Sequence, residues 1–211
     1  TVYVGKNILH LGGQLMSIVT NLTQQEIEKI QIDEGVVILD YGEQTERVLA
    51  PCRGGGEFTA TATVRDIEFD GRNGKTAGTQ VIEEQAASIK VTTICMSQEN
   101  LVLMMPFCRV EGTGTKVLKN PKMGLIPESA YPKNVALFAK LIDGSYKKII
   151  IYKPMHEDGL SVKAVQKAEG ELALTLNAHY GKGELDGDLW TIEEVTEFAM
   201  RRASNGGGAG A

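Results

Sequence analysis

The sequence predicts a mainly β domain, on three observations. Thr, Val, Ile and Gly are abundant while Pro is scarce, at 6 of 211 residues, a balance that favours strands over helices. Two long strand-like segments, EFTATATVRDIEF (57–69) and QAASIKVTTICM (85–96), flank a charged, Gly-rich connection. Asp143 and Gly144 lie between two apolar runs, in KNVALFAKLIDGSYKKIIIYKP, the pattern of a β-hairpin with a two-residue type I′ turn.

In chain order, residues 1–34 read as an opening arm. Thr23 and Glu26 have capping-box spacing ahead of Ile27 and Ile30, which predicts a short helix. Residues 35–195 form the β domain. Its first strand, within EGVVILDYG, is apolar on both parities from Val36 to Leu39, as a strand buried on both faces would be. Gly54, Gly55 and Gly56 mark a turn. In the first long segment Phe58, Ala60, Ala62 and Val64 share one face and Thr59, Thr61 and Thr63 the other. After Val64 the phase slips, so that Ile67 and Phe69 follow on the opposite parity. The second segment slips between Val91 and Ile94. If the two pair antiparallel, both slips are expected at one level, where a bulge bends the hairpin from one sheet into another.

Beyond the hairpin, SQENLVLMMP predicts a helix capped by Ser97 and ended before Pro106, with Leu101, Leu103, Met104 and Met105 on its packing side. Residues 107–132 read as irregular. The Asp143–Gly144 hairpin is expected at the centre of the fold, with Phe138 opposite Ile149 and Leu137 opposite Ile150. ELALTLNAHY alternates, placing Leu172, Leu174, Leu176, Ala178 and Tyr180 inward and His179 on an exposed polar face. Thr191 and Glu194 repeat the capping-box spacing, so a helix is expected over Thr191–Arg202. Residues 196–211 form a C-terminal extension ending in a low-complexity GGGAGA, expected to be disordered.

Composition excludes some functions. Lys plus Arg number 22 against 27 Asp plus Glu, a formal charge of -5; a surface built to grip nucleic-acid phosphates would be basic. The 3 cysteines, Cys52, Cys95 and Cys108, form no CxxC and are expected as free thiols in a reducing compartment. No apolar run reaches the ~18 residues of a membrane span, and TVYVGKNILHLGG lacks a signal-peptide pattern. The chain is therefore expected to fold in the cytosol where it is made.

No catalytic, cofactor or metal site is expected. His10, His156 and His179 lack metal-ligand spacing, and no Cys–His pairing has sequence support. Gly74, Lys75 and Thr76 spell GKT without the upstream glycine of a P-loop. Asp70, Gly71 and Asn73 hint at a calcium loop, but its twelfth position is Val81 in place of Glu. Glu83 with Glu84 and Glu193 with Glu194 read as solvated surface. A β-rich domain with arms and long loops but no active site has the profile of a self-assembling structural protein.

The runs RDIEFDGRNGKTAGTQVIEEQAASIKVTTICMSQENLVLMMP, YPKNVALFAKLIDGSYKKIIIYKP and EGELALTLNAHY resemble the major tail tube proteins of long-tailed bacteriophages and prophages. The resemblance spans residues 54–194 and rests on the order of elements rather than on an invariant motif. It implies a two-sheet β-sandwich or barrel flanked by a short α-helix, with an N-terminal arm and long loops. It further implies self-assembly into stacked hexameric rings forming a hollow tube in the virion tail, assembled in the host bacterial cytoplasm. The long hairpin would contribute to the tube wall, and phage DNA would pass the lumen without specific binding. Tape measure, tail terminator and distal tail proteins are the partners implied. Loops 69–82 and 107–132 would join subunits, with Asp70, Arg72, Lys75, Arg109, Lys116 and Lys119 as the contact candidates. A rival reading, a ligand-binding β-sandwich module for carbohydrate or a host surface, calls for exposed aromatics on one sheet, and the chain holds 1 Trp, 5 Phe and 6 Tyr.

Overall fold

The computed structural model describes residues 8–11, 14–17, 23–32, 35–49, 51–71, 73–112, 116–162, 169–184 and 187–200. The chain opens with a hairpin of β1 (Ile8–Leu11) and β2 (Gln14–Ser17) and the helix α1 (Gln24–Glu28). The capping box forms as expected: the Glu26 amide donates to the Thr23 hydroxyl and the Thr23 amide to the Glu26 carboxylate. Then follow β3 (Val36–Leu39), β4 (Arg47–Val48), β5 (Cys52–Asp66), β6 (Gln80–Thr93), α2 (Gln98–Met104), β7 (Arg109–Glu111) and β8 (Val117–Lys119). The remaining strands are β9 (Asn134–Lys140), β10 (Tyr146–Tyr152), β11 (Met155–His156), β12 (Leu172–Asn177) and β13 (Trp190–Val195).

Two antiparallel sheets face each other as a sandwich. One has the order β13-β10-β9-β3-β4, the other β11-β12-β6-β5; both have free ends, so neither closes into a barrel. Val37, Leu39, Val135, Leu137 and Ile151 of the first sheet pack on Ala87, Ile89, Val91, Leu172, Leu174 and Leu176 of the second. Each is buried, and burying one such side chain contributes about 1.5–3 kcal/mol. Helix α2 closes an edge of this core with Leu103 and Met104 buried and Leu101 packed beside them. Ser97 caps it, and Asn100 anchors it by taking a hydrogen bond from Arg47 at 2.9 Å and donating one to the Cys95 carbonyl at 2.9 Å.

The first sheet carries a second cluster on its outer face, Ile38, Ala136, Phe138 and Ile150. Phe198 lies edge-on to Phe138 at 5.1 Å between centroids, and Tyr41 at 5.3 Å. Strands β3 and β9 are thus buried on both faces, as their unbroken apolar runs predict.

Several expectations are corrected. The Asp143–Gly144 turn is a three-residue loop, Ile142–Gly144: the Gly144 amide donates to Leu141, Leu141 to the Ser145 carbonyl, and Gly144 has φ +85° while Asp143 is not left-handed. A type I′ turn needs positive φ at both central residues. The register is accordingly Leu137 opposite Ile149 and Phe138 opposite Lys148. The expected pairing would have turned Tyr146 and Lys148 into the core, whereas the extra loop residue turns Ile149 and Ile151 inward.

The helix expected over Thr191–Arg202 is instead β13 followed by an irregular strap, with Arg201 and Arg202 outside the described residues. Thr191, Ile192 and Val195 are β-branched, and β10 offers an open edge on which Glu193 meets Lys148 and Glu194 meets Lys147, both at 2.6 Å. Tertiary pairing overrides the capping-box coincidence. The irregular stretch 107–132 contains the β7–β8 hairpin and a 3-10 turn at Glu128–Ala130. Gly54–Gly56 are not a turn but part of β5, forming a bulge opposite Thr92 and Val91 with Gly54 and Gly55 at φ +77° and +72°. The terminal GGGAGA lies outside the described residues.

The bulges also redistribute the phase slips. The first coincides with a bulge between Thr63 and Val64, where Glu83 of β6 is the extra residue, and with the end of β5 at Asp66. The second lies at the far end of the hairpin, opposite the glycine bulge. Tyr180, past the end of β12, is exposed instead of inward, while His179 is half-buried, not exposed.

A Cβ at Gly56 would lie 2.7 Å from Leu137 Cδ1, and at Gly35 2.5 Å. Leu137 is held on all sides in the core, so the two backbones approach only because both positions lack a side chain. Gly56→Ala should destabilise the fold by about 1–3 kcal/mol through overpacking, read as a lowered midpoint in urea with an unchanged slope.

Below the sheet, residues 28–32 lie along the β9–β10 turn, where Ile142 and Asp143 amides donate to Ile30 and Glu28 carbonyls and Ile32 to Lys140. Lys29 bridges Asp143 at 2.7 Å and Glu194. The Lys29 hydrogen bond, with two more from Ser145, holds Asp143 down at about 2. Glu194 is lowered by Lys147 and then Lys29, and Lys29 is raised by Asp143 and then Glu194. A carboxylate depressed by folding stabilises fully above its unfolded value and ceases to do so as pH falls through the folded one. Between about pH 4 and pH 2, the protection of the Ile142 and Asp143 amides against hydrogen exchange, relative to the intrinsic rate at each pH, should therefore fall before that of β9, and Lys29→Ala should make this step smaller.

Candidate assembly surface

Where the facing sheet stops, the long hairpin continues. Strand β12 pairs with β6 only from Ser88 to Thr93, while β5 and β6 remain paired with each other out to Asp66 and Gln80. Beyond Ala60 and its partner Ala87 the ribbon is two strands thick and exposed on both faces. Its root is held by the core and by Phe58, whose ring meets Trp190 edge-on at 5.6 Å. Farther out, Arg65 pairs with Glu83 and the Ile67 amide donates to Thr79 at 2.8 Å, extending the ladder past β5.

This ribbon carries apolar side chains that the monomer leaves in water. Val64 is 51% exposed, Phe69 53% and Ile82 57%, with Ile67 and Val81 alongside. Thr59, Thr61 and Thr63 form a hydroxyl row on one face with Ser88, Ala86 and Glu84 opposite them. Isolated exposed apolar residues are ordinary; a group of five at the end of an uncovered ribbon, spread over both its strands, marks an interaction surface.

The contact candidates fall into two groups on different sheets. Asp70 and Lys75 sit exposed in the β5–β6 connection, and Arg72 lies outside the described residues. Arg109 and Lys119 are cross-strand partners on β7–β8 and both reach Glu111, Arg109 at 3.4 Å. The Arg109 Nε also donates to Asn120 at 3.2 Å. Lys116 projects into solvent while its carbonyl accepts from Gln98 at 2.6 Å. Sequence reasoning missed the next stretch, where Met123 and Leu125 are 103% and 102% exposed. Apolar residues framed by Pro121 and Pro127, with Gly124 between them, were the signal available.

His156 and His179 are held in the structure. His156 is buried, taking the Thr175 amide on Nδ1 at 3.0 Å and placing Nε2 3.0 Å from the Gly159 carbonyl. This fixes the Nε2-protonated tautomer and leaves neither nitrogen free. His179 sets Nδ1 against the Lys153 carbonyl and Nε2 against Glu157. Burial pushes the Cys52 and Cys108 thiols up, away from the reactive thiolate. Among the described residues no three His, Cys, Asp or Glu converge as metal ligands, and no helix is long and apolar enough to cross a membrane.

No family model and no curated relative matches the chain. Among solved structures, it is similar to a chain from the virion of a native gene transfer agent particle, with 11% identity and a TM-score of 0.38. The match covers 70% of this chain and 92% of that one.

Proposed function

We propose that this protein is a virion structural subunit that assembles with copies of itself into stacked hexameric rings, forming a tail tube through which phage DNA passes. The observation that carries this reading is the uncovered distal half of the β5–β6 ribbon, with Val64, Ile67, Phe69, Val81 and Ile82 exposed on strands that lack a third neighbour. A ribbon of this kind is satisfied by the equivalent ribbon of an adjacent copy, and a ring of copies removes the open edges. It matches the part that the resemblance to tail tube proteins assigns to the tube wall.

Magnitudes say how such a subunit behaves alone. Burying the exposed half of each of those five side chains is worth about 1 kcal/mol apiece, while association costs at least about 4 kcal/mol in lost freedom. One ribbon contact therefore leaves little surplus. Stable assembly needs several contacts engaged at once, which a closed ring provides. Dilute protein should be monomeric and polymerise cooperatively.

Electron microscopy of the purified chain at rising concentration provides the test. Rings or tubes of sixfold symmetry are expected above a threshold concentration. A chain that stays monomeric at high concentration, even when seeded, would overturn the reading.

A further inference from the structure

The fully exposed side chains of Met123 and Leu125 need a destination, and the chain carries a surface suited to receive them. A cleft of ≈ 580 Å³ opens beside the hairpin, lined by Thr63, Ile82, Glu83, Glu84 and Tyr180 among others. That volume lies within the range of small-molecule sites, enough for two side chains. Its apolar contribution comes from Ile82, 57% exposed, and from the ring of Tyr180. Its charge is negative: Glu83 pairs with Arg65, whereas Glu84 has no hydrogen-bond or ion-pair partner among the described residues.

The protruding loop is the complement of this cleft. It offers two apolar side chains at its tip, next to Lys122, and Lys116 on the same excursion. Neither lysine side chain has an ion-pair partner among the described residues. Within its own chain the loop is not paired with the hairpin: β7 and β8 form a sheet of their own, separate from that of β5 and β6. Apolar tip to the Ile82 and Tyr180 side chains and lysine to glutamate can thus be satisfied together between successive copies, one giving the loop and the next receiving it.

We infer that the Met123–Leu125 tip of one copy seats in the Ile82–Tyr180 cleft of the next, with Lys122 meeting Glu84. The inference rests on the self-assembly reading and specifies one of its contacts. Because loop and cleft are different surfaces of one chain, the contact is heterologous and repeats from copy to copy.

The test uses the full chain and sedimentation to find the concentration at which half the protein is polymeric. Met123→Asp with Leu125→Asp should raise that concentration by at least about tenfold, the effect of losing a central apolar anchor. Thermal melting of the dilute variant should match the original, since both side chains are in solvent. Lys122→Glu should weaken assembly, and adding Glu84→Lys to the same chain should restore it. Unchanged polymerisation of the Asp variant, or failure of the charge exchange to restore assembly, overturns the contact while leaving self-assembly standing. An original chain that never polymerises removes both.

Discussion

Everything distinctive in this molecule follows from a mismatch in strand length. Strands β5 and β6 run for 15 and 14 residues, and β12, which covers β6, has 6. A sandwich core extends only as far as both sheets do, so burial along β6 begins at Ala87 and everything before it is in solvent. A two-stranded ribbon is marginal by itself. Its order is inherited from the rooted end, where Ile89 and Val91 are clamped between sheets, and extended by ladder hydrogen bonds and the Arg65–Glu83 pair. The glycine bulge belongs to the same solution, because it lets β5 pass close over β3 before setting out alone.

What could be read from the chain was whatever local pattern and burial agree on. The two-sided apolar run Val36–Leu39, the alternation Leu172–Leu176 and the Thr23 and Ser97 caps all survive, since each is specified by neighbours within a few residues. What could not be read depends on a distant partner. Thr191 and Glu194 have helix-start spacing, but Lys147 and Lys148 on an open edge decide the outcome. Glu83 is an ordinary strand residue in sequence and a bulge only because of how β5 pairs with it.

The candidate surface was legible to a similar degree. Threonine alternation announced a polar ribbon face, and charged loops drew attention to Asp70, Lys75, Arg109, Lys116 and Lys119. Exposure of Met123 and Leu125 was hidden, because an apolar residue in a loop looks the same whether it folds back or points away. Conversely, the scattered histidines gave no sign that His156 is locked by Thr175 and Gly159, since those backbone partners depend on how β11 lies against β12.

The odd number of residues between β9 and β10 has a reach well beyond the turn itself. Side chains alternate across a sheet, so the loop count decides whether the isoleucines or the tyrosines and Lys148 look toward the second sheet. Ile142 could be exchanged for other residues with little disturbance, but shortening the loop by one would turn the whole of β10 over, and with it the face that β13 must match. Variation in this segment is therefore open in chemistry and closed in length: a place where homologous chains can drift by substitution but not by deletion.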